Sequence, residues 1–535
     1  MSRPSDHFDS PAPEKVALGA TSPKLNPREW LRWFWRQLTS MRTALLLLLL
    51  LAIAAVPGSI VPQRSADPNG VTQYFVNNPK SAPVLDSFQM FDVYSSAWFS
   101  SIYLLLFISL IGCVIPRTKH HIVALRAVPP KTPVNLARLP AYVSRDVPGV
   151  SAETAIAAAY KVVKGLRYRV SRYDRGDKLT ISAERGYARE TGNLIFHFAL
   201  VGVLITVGFG GGFGFGGQRV IVEGQGFTNS LLAYDSFNPG RFFNPSTLPP
   251  YAMSLDSFKV VYEQQNPNAI GQPTDYNASV TTQLRGGTPI QQNIKVNEPL
   301  RIADTDIYLL GNGYAPTITV RNPAGDVIFT DSTPFLPQDR NLTSVGVIKL
   351  PDGLAQQLGM IGFFYPTVSK GNSGALFSMY PDLIDPEVTL NVYAGDLGLN
   401  AGVPRSVYAL DTKNLTQLTG GKTGVSSLEL KPGDTANLPN GLGTVTLDGV
   451  KRFASFDIRR DPTQGWVLVF ALAALAGLLI SLFIPRRRLW VAVTPLPGGG
   501  VRVESAGLAR GDDPMLENAV AALDASIATN VRLTP

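Results

Sequence analysis

Chemistry near neutral pH needs a side chain that can exchange a proton or hold a metal, and this chain offers few: four histidines and one cysteine in 535 residues. His197 stands apart, at the seventh position of an uncharged run covering 191–218. A polar imidazole inside an apolar span is costly unless it is buried against protein, a bound group or water, which makes His197 the first functional candidate. Neutral imidazole is a good axial ligand for haem iron, and the surrounding apolar spans would suit a porphyrin. The plainer alternative is that His197, about one turn from Asn193, snorkels to the headgroups or hydrogen-bonds a neighbouring helix; position alone leaves both readings open. Since no second histidine shares that setting, a six-coordinate iron would need its other ligand from a partner protein.

The remaining reactive groups read as structural. His120 and His121 follow Arg117 and Lys119 as polar residues flanking the second apolar run, and His7 sits in a polar N-terminal segment. Cys113, alone in the chain, can form neither an intrachain disulfide nor a C-x-x-C redox pair, and reads as a small packing residue. Between 219 and 460 there is no histidine, so neither a Ser-His-Asp triad nor a histidine zinc site can be assembled there. The run Gly208 to Gly217 leaves a span where a nucleotide loop would follow a strand and open a helix, so it reads as a membrane exit. Phe209, Phe213 and Phe215 within it suit an interfacial belt or a flat apolar site. The chain is therefore expected to be non-catalytic on its own, with no metal bound apart from haem iron through His197.

The elements that must hold His197 follow from composition. Apolar residues make up 45% of the chain and charged ones only 16%. Uncharged runs at 43–63, 93–116, 191–218 and 462–485 each supply the roughly 20 residues that cross a bilayer as a helix. Lys and Arg outnumber Asp and Glu seven to four in 1–42 and fifteen to six in 117–192, and Arg486-Arg487-Arg488 follow the last run. In 211–464 the balance is eighteen to twenty-two, and in 64–92 two to three. The positive segments belong in the cytoplasm and the others outside, so the net charge of +8 is a topology signal, with no nucleic-acid partner implied.

The organisation expected is a disordered tail over 1–27, an interfacial helix with the first span over 28–63, and an external loop over 64–92. The second span covers 93–116, a cytoplasmic α+β subdomain 117–190, and the third span 191–212. An extracytoplasmic all-β sandwich or barrel-like domain covers 213–461, the fourth span 462–485 and a cytoplasmic tail 486–535. Ser151 caps a helical pattern, and alternation around Arg175-Gly176-Asp177 predicts paired strands. Alternating runs such as Arg219-Val220-Ile221-Val222-Glu223 and Val388-Thr389-Leu390-Asn391-Val392-Tyr393 carry the β prediction, and Asp513 to Ala528 carries a helical pattern in the tail. The fold class is a membrane protein with four transmembrane helices and both α and β structure.

Several segments, taken in order, resemble the ResB family of the system II cytochrome c maturation pathway. They are Gly58-Ser59-Ile60-Val61-Pro62-Gln63 after the first span and Met90-Phe91-Asp92-Val93-Tyr94-Ser95-Ser96-Ala97-Trp98-Phe99 before the second. Gly192-Asn193-Leu194-Ile195-Phe196-His197 opens the third, Val296-Asn297-Glu298-Pro299-Leu300 lies in the β region, and Asp461-Pro462 and Arg486-Arg487-Arg488-Leu489-Trp490 flank the fourth. The likeness covers about residues 40–490, and the Gly-Phe run after the third span is longer than that family leads one to expect. The resemblance implies a subunit acting with a ResC/CcsA-type haem-handling membrane protein to move haem outward and attach it to reduced C-x-x-C-H motifs of apocytochrome c. It further implies His197 as an axial ligand to haem b carried as substrate, a thioredoxin-like reductant with its membrane electron donor as a further partner, and the bacterial cytoplasmic membrane with both termini inside. The alternative class is a structural membrane anchor whose β domain binds an extracytoplasmic protein or polymer, with His197 only packing.

Overall fold

A computed structural model describes residues 26–372, 374–399, 408–421 and 423–532. Most of the N-terminal tail, with His7, lies outside them. The described residues form two compact units, one drawn from residues 26–205 and 466–532 and the other from residues 206–465.

In the first unit, α1 (Pro27–Leu38) begins with Pro at its first position, where the missing N–H costs nothing, and Glu29 accepts the Asn26 N–H at 3.1 Å. Its Trp30, Trp33 and Trp35 are exposed, as an interfacial helix requires. α2 (Met41–Ile60) starts at Ser40, whose hydroxyl accepts the Thr43 N–H. The link to the next long helix is compact: α3 (Pro68–Asn77) and α4 (Ala82–Ser87) pack on the fully buried Phe91 with Val71 and Ala82. Gln63 pins this link by donating to the carbonyls of Val61 and Met90, both at 2.9 Å, and accepting the Val93 N–H at 3.0 Å. Arg64 pairs with Asp86 at 2.7 Å and with Asp92.

α5 (Ala97–Arg126) runs ten residues beyond the apolar stretch that ends at Pro116. α6 (Ala152–Gly165) and α9 (Leu516–Arg532) are separated in sequence by α7 (Ala188–Phe213) and α8 (Gln464–Phe483). Four of these helices, α2, α5, α7 and α8, are long and apolar enough to cross a membrane. α7 and α8 touch backbone to backbone: a Cβ on Gly192 would lie 2.7 Å from the Gly477 carbonyl oxygen, and one on Gly477 would lie 2.6 Å from the Phe196 nitrogen.

Residues 486–532 of the stretch read from sequence as a tail are a folded part of the α/β structure. Strands Arg487–Pro495 and Val501–Ala509 form the centre of a five-stranded antiparallel sheet, flanked by Ala141–Val147 on one side and Leu179–Arg185 with Arg169–Arg172 on the other. α6 and α9 cover this sheet, burying Ile156, Val163, Val491, Val503, Val520 and Ile527 in one core.

The second unit is antiparallel β. Two 17-residue strands, Thr305–Arg321 and Thr444–Arg460, pair along their length. Their ends belong to different cores. Ile307, Ala454 and Phe456 pack with Phe215, Met253 and Val280, whereas Ile318, Val320 and Val445 pack with Met360, Phe364 and Leu390. The single sandwich or barrel core expected from the sequence is thus two cores sharing a long ribbon.

Candidate functional site

His197 lies on the fourth turn-face residue of a stripe along α7 formed by Glu190, Asn193, Leu194 and His197, the 3–4 spacing that aligns side chains on one helix face. Its ring Nδ1 is 2.7 Å from the Asn193 carbonyl oxygen. A carbonyl can only accept, so Nδ1 carries the proton, and the neutral ring presents Nε2 as a lone pair. This is how a histidine ligand is oriented by the bond its other nitrogen makes. The Phe196 ring stands edge-on to the imidazole at 5.2 Å between centroids. The Gly192–Gly477 crossing fixes α7 one turn away, so the ring rests on rigid backbone.

One turn further toward the start of α7 is a cavity of about 560 Å³, within the range of small-molecule sites. α5 contributes Arg117 and His121, α7 contributes Arg189, Glu190 and Asn193, and Arg486 and Arg510 lie just outside the ends of two sheet strands. His121, read from sequence as a flanking polar residue, is 8% exposed, while its neighbour His120 is exposed. The His121 Nε2 is 2.9 Å from the Thr191 hydroxyl, and its Nδ1 is buried without a partner. Glu190 Oε1 accepts from Arg486 at 2.6 Å and from Arg510 at 2.7 Å, and its Oε2 is buried without a partner. His121 could have been suspected from its place at i+4 from Arg117 on a helix continuing past Pro116, but Thr191 lies 70 residues away in sequence.

Below the cavity, Glu184 anchors the sheet to the helices. Arg486 meets its Oε1 at 2.8 Å, Arg488 meets the same oxygen at 3.0 Å, and the Tyr187 hydroxyl donates to Oε2 at 2.8 Å. Burial alone would raise this carboxyl, but the Tyr187 hydrogen bond and the two guanidinium groups hold it below the ordinary carboxylate range. Tyr187 is itself pushed up to about 12 by burial and by donating to Glu184.

The other residues singled out in sequence do not join this site. Cys113 Sγ donates to the Thr39 carbonyl at 2.7 Å, and Ser109 does the same to Leu38 at 2.6 Å, locking α5 to the α1–α2 turn. Phe209 stacks on Phe213 at 5.5 Å, Phe213 meets Phe242 at 5.4 Å, and Phe215 enters the β core. Among the described residues, no group of three or more His, Cys, Asp or Glu is placed to hold a metal ion.

Four apolar helices, a basic α/β layer and a large β unit define a membrane protein whose reactive groups gather at the ends of its helices. The chain belongs to the ResB-like family, whose model matches residues 41–521. Similar curated proteins include a cytochrome c biogenesis protein CcsB of Synechococcus sp. (strain CC9311), 26% identical over 283 residues, covering 52% of this chain and 59% of that protein. A cytochrome c biogenesis protein Ccs1 of Guillardia theta is 23% identical over 292 residues, covering 51% of this chain and 60% of that protein. The CcsB of Paulinella chromatophora is 24% identical over 300 residues, covering 52% and 61%. The chain thus spans about three-fifths of the length of the curated relatives it matches.

Proposed function

We propose that this protein is a membrane subunit of a cytochrome c biogenesis complex that carries haem outward and presents it for covalent attachment to apocytochrome c. Family membership and the names of the similar proteins support the pathway. The observation that carries the haem role is the His197 bond to the Asn193 carbonyl, which leaves Nε2 as a lone pair on a fixed ring beside an apolar span. The basic α/β layer with both termini lies in the cytoplasm and the β unit outside, on the distribution of Lys and Arg.

Haem is substrate here, and this chain supplies one axial ligand. His121 cannot be the second on the same iron. Its partner Thr191 is six residues from His197, about 9 Å of helical rise, whereas imidazole–metal bonds are about 2 Å. The second ligand therefore comes from a haem-handling membrane partner, and the β unit meets apocytochrome c or its thiol reductant. The complex supplies the attachment chemistry, and this subunit positions its substrate.

The test is His197→Ala in the complex purified from membranes. Bound haem is expected to fall several-fold and to return with added imidazole; an unchanged haem spectrum sinks the ligand assignment. Depleting the protein is expected to abolish c-type cytochromes and spare b-type ones. Normal c-type cytochromes would favour a membrane anchor whose β unit grips another extracytoplasmic molecule.

A further inference from the structure

The cavity beside His121 is not accounted for by an axial ligand to iron. Four of its lining side chains, Arg117, Arg189, Arg486 and Arg510, carry guanidinium groups, against the single carboxylate of Glu190. That carboxylate is already shared by Arg486 and Arg510. Arg117 and Arg189 have no carboxylate within ion-pair distance among the described residues, although both line the cavity. Arg117 rests on Met41 Sδ at 2.6 Å, a weak acceptor for a cation.

His121 adds an independent sign of a missing ligand. The His121 Nε2 has its partner in the Thr191 hydroxyl at 2.9 Å, which itself lies 3.3 Å from the Tyr187 carbonyl. The opposite nitrogen, Nδ1, is left in a buried position with nothing to bond, in a ring that is over nine-tenths buried and lines the cavity. Buried polar atoms are rarely left so. With its proton on Nδ1 and Nε2 accepting from the Thr191 hydroxyl, the ring offers a hydrogen-bond donor to an anion in the cavity. The cavity also faces the first turns of α7, where the helix N-terminus favours negative charge.

The distance to His197 identifies the anion. Glu190 and His197 share one face of α7 and are separated by two turns, about 10 Å of rise. That is the scale of a porphyrin from its iron to the ends of its propionate side chains, and Leu194 between them offers an apolar surface. We propose that this cavity receives the two carboxylates of haem, held by Arg117, Arg189 and the His121 ring, while the iron lies toward His197. The inference rests on the haem reading of His197 and extends it from the iron to the acidic edge of the same molecule. A lipid phosphate would satisfy the same donors, so the experiment separates the two.

The full chain in nanodiscs of zwitterionic lipid is titrated with haem and with haem dimethyl ester, which keeps the macrocycle and removes both negative charges. Haem is expected to bind about tenfold or more tightly than the ester, as two charge-assisted bonds require. In R117Q/R189Q the two affinities are expected to converge, with the absorption spectrum of bound haem unchanged. R117K/R189K keeps the charge and is expected to retain part of the preference, which guards against simple misfolding. Equal affinities in the wild type, a preference that survives R117Q/R189Q, or no haem bound by the full chain overturns the proposal. Repeating the titration with phosphatidylglycerol gives the lipid arm: loss of the preference there shows a lipid phosphate in the cavity and likewise overturns it. H197A separates this claim from the one beneath it. It is expected to change the spectrum and keep the preference, and an unchanged spectrum removes the iron ligand while the haem-to-ester ratio still reports on the cavity.

Discussion

Each unit sets a carboxylate next to arginine, and the two environments push it in opposite directions. In the α/β layer Glu184, 4% exposed, is met by Arg486, Arg488 and the Tyr187 hydroxyl, and stays below the ordinary carboxylate range despite burial. In the β unit the Asp235 side chain, 20% exposed, has Arg219 at 3.0 Å, the Val220 N–H at 2.7 Å and the Tyr408 hydroxyl as partners, and desolvation raises it in spite of all three. One guanidinium, one amide and a phenol do not offset desolvation at Asp235; two guanidinium groups and a phenol do at Glu184. The difference teaches where the molecule is built to hold negative charge. It lies next to the cavity lined by α5 and α7, the two helices that carry all the histidines among the described residues.

The strongest way to break this comparison is Glu184→Gln. The change leaves Arg486, whose side chain is 10% exposed, without one of its two carboxylates, and Arg488 without its own. Breaking a buried pair by removing one partner costs about 3–5 kcal/mol. Hydrogen exchange over strands 179–185 and 487–495 is expected to accelerate accordingly, with the β unit unaffected. Protection that survives the substitution would mean that Glu190 alone satisfies Arg486.

Sequence made half of this layout legible. Uncharged runs located the four helices, and 3.6-residue periodicity placed Asn193 one turn from His197, which is the bond the structure shows. The strand Arg487–Pro495 was hidden because one of its neighbours, Leu179–Arg185, lies some 300 residues away and because it is covered on both faces. Leu489, Val491 and Val493 face the helices while Trp490 and Ala492 pack with Leu136, so no alternation marks it. The triple arginine at its start reads as a positive membrane flank, and the structure adds ion pairs that sequence does not show: Arg486 and Arg488 grip Glu184, and Arg487 grips Asp513. His121 was misread for a similar reason: its burial depends on α5 continuing to Arg126 and on Thr191 from another helix. In the β unit the alternating strands were visible, but a division into two cores along continuous 17-residue strands leaves no local trace.

A medium effect is expected from Arg452, the β unit's closest counterpart to Arg486. Its guanidinium is 14% exposed, pairs with Asp382 at 2.6 Å and lies 4.8 Å from the centre of the Tyr314 ring. Asp382 is 43% exposed, so that pair contributes about 1 kcal/mol at most, and a desolvated cation–π contact about 2 kcal/mol. Arg452→Ala is expected to destabilise the β unit by about 2–3 kcal/mol, less than the loss at Glu184, as measured by denaturant unfolding followed by exchange in strand 444–460. A cost equal to that of Glu184→Gln would show that the two units protect buried charge alike.

The smallest effect sharpens the comparison most. Asp235→Asn keeps an oxygen for the Val220 N–H and removes a charge that burial opposes, so at pH 7 the change is expected to lie within about 1 kcal/mol of neutral or to stabilise. The pH dependence carries the sign. A carboxyl with its folded pKa raised binds more protons folded than unfolded between that value and the unfolded value of about 3.9, so its contribution to stability grows as pH falls through this window. Glu184 does the reverse, contributing stability above its unfolded pKa of about 4.3 and losing it as pH falls through its lowered folded pKa. On acidification from pH 7 to about 4, the wild type is therefore expected to gain on Asp235→Asn in melting temperature. A gap that moves the other way would show that Arg219 outweighs burial, and would place both buried carboxylates in the same class.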